Sequence, residues 1–229
     1  MRVGEDGYCT FPDGRAVPPP EATRALKMLP GVNALRFEMR FPRDKRVLVA
    51  ECFVFLWSAA DARVIAVDID GTITRSDLPG LLMTFSPGTI DHTHEGVCAC
   101  LNWITDAGAQ VLYLTSRPIT LASKTRNFLM NLRQDGMLLP LGPLITSKSS
   151  VSGVLFKELV LKDMHIFKSA ALLDIVHVFR RAGPPPVFVA GIGNRDTDGL
   201  AYLAAGVPPE YIYINDPTSA IQRWSPSTA

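Results

Sequence analysis

The patterning of this chain predicts an α/β domain on a parallel sheet, with a small N-terminal β lobe in front of it. Three observations carry the prediction. From Val64 onward, short β-branched runs alternate with stretches of helical period, the mark of parallel strands joined by crossover helices. Residues 33–57 instead alternate apolar and polar side chains at strand period. Between these regions' chemistries stands Val64-Ile-Ala-Val-Asp68-Ile-Asp70-Gly71-Thr72, an apolar run ending in two acids, a glycine and a threonine. A buried strand delivers such a pair to the rim of a sheet, where open α/β sheets bind their ligands.

Taken in order, residues 1–24 read as a flexible leader, Gly/Pro-rich and containing Pro18-Pro19-Pro20. Residues 25–60 read as the β lobe. Leu35, Phe37 and Met39 alternate with polar neighbours, Pro42-Arg43-Asp44-Lys45 turns the chain, and Val47–Trp57 is rich in β-branched and aromatic residues. That pattern is a hairpin or an immunoglobulin-like sandwich fragment. Residues 61–225 read as the parallel-sheet α/β domain. After the polar turn Ser58–Arg63, Val64–Val67 is its first strand. His94–Ala107 is a helix with Val97, Leu101 and Ile104 on one face and Gly108 as its stop. Gln110–Leu114 is the next strand, and Leu121–Leu132 a helix ended by Asp135-Gly136. Leu138–Ser150 is a connection, and Val154–Leu161 and Ala170–Arg181 are two helices. Val187–Ala190 is a strand following Pro184-Pro185-Pro186, Thr197–Ala205 a helix closed by Gly206, and Tyr211–Ile214 the last strand.

Composition narrows the function. A formal net charge of +1, with no basic run, argues against nucleic acid as a partner. The 4 cysteines form no CxxC pair, which fits a reducing intracellular compartment. The apolar runs fall far short of the ~20 residues of a membrane helix, so any contact with lipid is expected to be peripheral.

The two acids of the first strand suit phosphoryl chemistry. A carboxylate attacks phosphorus only when a bound magnesium ion offsets the repulsion between two anions. One acid then becomes an aspartyl-phosphate, while the other protonates the leaving alcohol and later deprotonates water. Side chains at i and i+2 of an extended strand share a side, so Asp68 and Asp70 can face one crevice. Gly71 permits a turn there, and the Thr72 hydroxyl is placed to fix it. The run ending Thr115-Ser116-Arg117-Pro118 offers hydroxyls to a phosphoryl group and a cation to its charge. Lys168 is placed to bridge nucleophile and phosphate. In Gly191-Ile-Gly193-Asn194-Arg195-Asp196-Thr197-Asp198, Asn194 offers a carbonyl oxygen to magnesium, and Asp196 or Asp198 completes the shell or orients a water. Other readings fail: Gly71 comes too early for an EF-hand loop, no GxxxxGK[ST] or GxSxG occurs, and Asp196 stands where GxGxxG needs its third glycine. His92 and His94 read as helix entry and capping; His165 and His177 read as packing or surface residues.

The motif order resembles the haloacid dehalogenase superfamily, and within it the C-terminal catalytic domain of the lipins, the magnesium-dependent phosphatidate phosphatases. The resembling segments are the string Asp68-Ile-Asp-Gly-Thr-Ile-Thr-Arg-Ser-Asp77, then Thr93-His94-Glu95-Gly96, Ser116-Arg117, Leu141-Gly-Pro143, Phe167-Lys168, Gly193-Asn194-Arg195 with Asp198, and Asn215–Pro217. The resemblance implies a haloacid dehalogenase-like, doubly wound parallel sheet with no large cap domain. It implies Asp68 as nucleophile and magnesium ligand, and Asp70 as general acid/base, with its backbone carbonyl a second ligand. Lys168 would steady the aspartyl-phosphate. Thr72, Thr115, Ser116 and Arg117 would bind phosphate, and Asn194 and Asp198 would support Mg2+. Thr115 stands where lipins usually carry serine, and the hydroxyl is kept.

The intervals from Thr72 to Thr115 and from Thr115 to Lys168 hold no comfortable room for a folded lid, and an open site suits a head group at a membrane surface. The same openness would admit a phosphoprotein; it is the resemblance to the lipins that implies hydrolysis of phosphatidic acid to diacylglycerol and phosphate. The expected setting is cytoplasmic, with peripheral and transient attachment to endoplasmic reticulum or nuclear membrane. Lipins carry a separate N-terminal piece with an amphipathic membrane-binding helix, which also helps complete the small β domain. The first 20 residues here supply no such helix, so the resemblance implies either a reduced form or a β lobe that a second polypeptide completes. Two rival functions stay open: a phosphatase for soluble phosphomonoesters or phosphoproteins, and a lipin-like module that senses phosphatidic acid without catalysis.

Overall fold

The computed structural model describes residues 2–3, 9–14, 17–41, 46–75, 92–147, 154–180 and 187–226. The chain divides into two compact units, Met1–Trp57 and Ser58–Ala229.

In the first unit, β1 (Arg2–Val3) pairs antiparallel with β2 (Cys9–Thr10), and α1 spans Pro20–Ala25. The segment read as a leader thus carries regular structure, with Pro20 at the first helical position, where its missing N–H costs nothing. β3 (Gly31–Arg40) and β4 (Val47–Leu56) form the antiparallel ribbon that their alternation predicts, in register from Gly31↔Leu56 to Arg40↔Val47. Directly paired residues share a face, so Leu35, Phe37 and Met39 stand beside Cys52, Ala50 and Leu48 on one apolar side. The expected turn Pro42–Lys45 lies outside the described residues.

The second unit begins with β5 (Val64–Asp68), followed by α2 (Val97–Asp106), β6 (Gln110–Pro118) and α3 (Ala122–Asn131). Next come β7 (Arg133–Gln134), β8 (Met137–Leu138), β9 (Leu144–Ser147) and α4 (Val154–Arg180). β10 (Phe188–Gly193), α5 (Asp196–Ala204), β11 (Ile212–Asn215) and β12 (Ile221–Arg223) complete it. Its main sheet runs β12-β11-β10-β5-β6-β9, parallel throughout except for the antiparallel β11–β12 pair. The chain works outward from β5 to β9, then restarts beside β5 with β10 and works the other way. The order therefore reverses between β5 and β10, and the crevice at their carboxyl ends is the switch point where such sheets bind ligands.

Helices cover both faces of this sheet. Ile65, Val67, Val111 and Tyr113 face one way and form a core with Cys98 and Leu101 of α2 and Leu129 of α3. On the opposite face, Gly191 pairs with Ala66, and its bare Cα lets Tyr202 of α5 approach; an added Cβ would lie 2.4 Å from the ring. Leu172 and Val176 of α4 are also buried. No helix among the described residues is long and apolar enough to cross a membrane.

Three local expectations are corrected. The two helices read at Val154–Leu161 and Ala170–Arg181 are one helix of 27 residues, because no glycine or proline interrupts residues 162–169. Asp135 and Gly136 do not cap α3 but form the two-residue turn of the β7–β8 hairpin. Their φ values of 49° and 82° fit the left-handed pair that such a turn needs. The stretch Leu138–Ser150, read as a connection, contains the edge strand β9.

Candidate active site

β5 ends at Asp68, which shares the face of Val64 and Ala66 and is 1% exposed. α4 supplies the cation opposite. Lys168, Leu172 and Val176 lie four residues apart along one buried stripe, so an ammonium occupies a core-facing position. Its Nζ donates to Asp68 Oδ1 at 2.7 Å and to Asp198 Oδ1 at 2.5 Å. Asp198 lies in the first turn of α5, and its Oδ2 accepts from the amides of Asn194 and Arg195 at 3.0 and 3.1 Å. Gly193 makes room for it, since a Cβ there would sit 2.4 Å from Asp198 Cβ. The Thr72 hydroxyl donates to Asp68 Oδ2 at 3.3 Å.

Asp70 belongs to a second, adjoining group. Its Oδ2 accepts from Thr115 Oγ1 at 2.8 Å, and its Oδ1 pairs with Arg117 Nη2. The Arg117 amide in turn donates to Thr115 Oγ1 at 3.2 Å. Arg117 is buried, yet its Nη1 has no hydrogen-bond partner. The sequence-derived site residues thus gather at the switch point: Asp68, Thr72, Lys168 and Asp198 in one hydrogen-bonded set, Asp70, Thr115 and Arg117 in the next. Asn194 joins through its backbone amide. Ser116 sits half-buried between Thr115 and Arg117, and no described hydrogen bond ties it to either acid.

Burial is the largest influence on Asp68 and pushes its carboxyl up, to about 8. The Lys168 ammonium opposes that shift, while the carboxylates of Asp198 and Asp70 add to it. Burial also pulls against the charge of Lys168, but Asp68 and Asp198 outweigh it and hold the ammonium protonated above its ordinary range. Three carboxyl groups here share two cations, Lys168 and Arg117, and a proton held on Asp68 makes up the difference. Without that proton the group is short of positive charge, and its acidic donors are all oxygens. Among the described residues no three His, Cys, Asp or Glu side chains form a metal cage. A few carboxylates with room for water and phosphate suit magnesium, which seldom takes an all-protein shell.

Sequence reasoning missed the residues that hold the acid-bearing turn. His94, read as a cap, places Nε2 3.2 Å from the Gly71 carbonyl and Nδ1 2.8 Å from Ser219 Oγ. Asn215 Nδ2 donates to the Thr72 carbonyl at 3.2 Å, and Gln134 Nε2 donates to the His94 carbonyl at 2.8 Å. The signal lay in the resembling segments Thr93–Gly96 and Asn215–Pro217, which carry polar residues without evident chemistry of their own.

Comparison with known proteins fits this arrangement. The family model described as LNS2 (Lipin/Ned1/Smp2) matches residues 15–228. Nuclear elongation and deformation protein 1 of Schizosaccharomyces pombe is 39% identical over 190 residues, covering 83% of this chain and 28% of that protein. Phosphatidate phosphatase PAH1 of Arabidopsis thaliana is 37% identical over 208 residues, covering 90% of this chain and 22% of its own. Phosphatidate phosphatase LPIN3 of Homo sapiens is 37% identical over 194 residues, covering 85% and 22%. The chain therefore spans about a quarter of the length of these relatives. Among solved structures, that of DsGPDH of Dunaliella salina overlaps at a TM-score of 0.37 and 18% identity, over 61% of this chain and 21% of that one, too loosely to bear on the fold. With nearly its whole length matched and the acid, lysine and turn motifs in one place, the chain belongs to the LNS2 (Lipin/Ned1/Smp2) family.

Proposed function

We propose that this chain carries the catalytic domain of a magnesium-dependent phosphatidate phosphatase with a haloacid dehalogenase-like fold and no large cap. The observation that carries the reading is Asp68 at the end of β5, buried against Lys168 and Asp198, with Asp70 two residues on beside Thr115 and Arg117. The names of its Arabidopsis and human relatives supply the substrate, phosphatidic acid.

Asp68 attacks the phosphorus of the substrate and becomes an aspartyl-phosphate as the lipid alkoxide leaves. Asp70 gives that oxygen a proton, so diacylglycerol departs neutral, and then takes a proton from the water that hydrolyses the intermediate to phosphate. Lys168 offsets the negative charge around the acyl-phosphate. Arg117, through its unpartnered Nη1, and Thr72, Thr115 and Ser116 bind phosphoryl oxygens. A phosphate oxygen that captures Thr115 and Arg117 also releases Asp70 for proton transfer. Magnesium would be held by Asp68, the Asp70 carbonyl, Asn194 and Asp198. Bound there, it supplies the positive charge that offsets repulsion between carboxylate and phosphate.

The reading places the domain at the cytosolic face of the endoplasmic reticulum or nuclear membrane, attached peripherally, with a second polypeptide completing the β lobe. Phosphate release from phosphatidic acid in mixed micelles tests it. Activity is expected only with magnesium, and Asp68→Asn and Asp70→Asn are each expected to lower turnover at least ~1,000-fold. Unchanged turnover in Asp68→Asn removes the nucleophile. Turnover of soluble phosphomonoesters alone moves the substrate, and binding of phosphatidic acid vesicles without any turnover leaves a sensing module.

A further inference from the structure

We infer that His94 is a positioning residue, a buried clamp that fixes the Asp70–Thr72 turn from outside and thereby sets where Asp70 can reach. This rests on the catalytic reading above and adds to it a residue that touches neither substrate nor metal.

The turn after β5 is organised from within by one carbonyl. Ile69 O accepts from the amides of Thr72, Ile73 and Thr74 at 3.3, 3.0 and 3.1 Å. Gly71, at a φ of 83°, donates its own amide to Thr74 Oγ1 at 3.2 Å. Among the described residues no backbone amide of the turn donates to the carbonyls of Gly71 and Thr72. Both are caught by distant segments, Gly71 O by His94 Nε2 and Thr72 O by Asn215 Nδ2. His94 is 2% exposed, and its own backbone is held on both sides. Its amide donates to Ile73 O at 3.0 Å, and its carbonyl accepts from Gln134 Nε2 at 2.8 Å. The ring is therefore anchored before it anchors anything else.

The direction of the two ring bonds follows from chemistry. A carbonyl only accepts, so Nε2 carries the proton toward Gly71. Burial disfavours a second proton, so Nδ1 accepts from the Ser219 hydroxyl. Ser219 stands in a turn that Asp216 organises, its Oδ1 accepting from Thr218 N, Thr218 Oγ1 and Ala220 N at 2.8, 2.6 and 3.0 Å. A chain of hydrogen bonds thus runs from the loop after β11 through one imidazole to the peptide beside Asp70. Displacing a reacting group by about 1 Å can cost on the order of 100-fold in rate.

The test compares His94→Leu, His94→Gln and Ser219→Ala in the full chain. Leucine removes both ring bonds, glutamine keeps a donor for Gly71, and Ser219→Ala removes only the outer link. In His94→Leu, kcat on phosphatidic acid is expected to fall on the order of 100-fold with KM within about threefold. His94→Gln should recover at least about tenfold of that loss, and Ser219→Ala should lie nearer wild type. Amide exchange of residues 70–75 is read in parallel, and in His94→Leu it should quicken while β10 and α5 stay protected. Unchanged exchange in both His94→Leu and His94→Gln overturns the clamp, whether or not the protein is an enzyme. Quickened exchange with unchanged kcat overturns the positioning role, and so does a rise in KM alone. Should His94→Leu fail to fold, a full loss of kcat in His94→Gln overturns the donor role, while partial retention supports it. If the wild type turns over no phosphate ester, the catalytic reading fails, and the exchange data alone decide the clamp.

Discussion

Asp68 and His94 are both buried, and burial moves their proton equilibria in opposite directions. Asp68 stands at about 8 against an ordinary 3.8, so the folded protein keeps a proton there that the unfolded chain has lost. That contribution favours folding at acid pH and fades as pH rises through the window between about 4 and 8. His94 is held below its ordinary 6.5, by burial first and by the nearby Arg75, against the Gly71 carbonyl and Asp216. The unfolded chain therefore takes a proton before the folded one, and stability is lost as pH falls below 6.5. Subtracting variants separates the two. Urea midpoints from pH 5 to 8, without magnesium, should show His94→Gln lacking the acid-side loss and Asp68→Asn lacking the alkaline-side loss. Parallel curves for wild type and His94→Gln would show that His94 titrates normally.

Helix α4 joins stability to chemistry, because one stripe carries Lys168, Leu172 and Val176. Leu172→Ala should destabilise the protein by about 2–5 kcal/mol through the cavity it leaves. Lys168→Met keeps the length of the side chain but leaves Asp68 and Asp198 buried without their cation, at a cost of about 3 kcal/mol. The two costs differ in pH dependence. The leucine effect should be flat from about pH 5 to 9, and the lysine effect should grow as pH rises past about 8, where Asp68 gives up its proton beside the ammonium. A flat lysine curve would show that the ammonium acts there as packing. The same helix shows where sequence reading reached its limit. β5 and its two acids were legible because a buried parallel strand is a continuous apolar run, and an acid at its end has no reason to be there except the site. Lys168 was legible only beside them. The continuity of α4 was not, since amphipathic period fades where a helix buries a charge on its inner stripe. β9 and β12 are edge strands of 4 and 3 residues, too short to alternate visibly. His94 escaped because its work is done on backbone carbonyls, and no pattern of side chains records which carbonyls a turn leaves outward.

At the scale of the whole molecule, the two units rest on different physics. The unit from Ser58 buries strands between helix layers, and Val64, Ala66, Leu114 and Ile212 are fully enclosed. The β3–β4 ribbon is only partly covered, and neither strand has a fully buried residue. Each strand has a paired neighbour on one side only, and Phe37, Leu48 and Val49 are 39%, 58% and 45% exposed. A two-stranded ribbon is marginal alone in water, and its outer edges offer unpaired amides and carbonyls to an added strand. Amide exchange in the isolated chain should therefore divide along the sequence. Amides of residues 31–40 and 47–56 should exchange at least ~100-fold faster than those of β5, β6 and β10, whose opening requires breaching the core. A polypeptide that completes the lobe would pair with an open edge and cover the exposed Phe37 and Leu48. It should slow the ribbon alone, leaving β5 and β6 as they were. Protection of the ribbon equal to that of β5 in the chain by itself would mean that the lobe is already complete, and the second polypeptide would then have no physical reason to bind there.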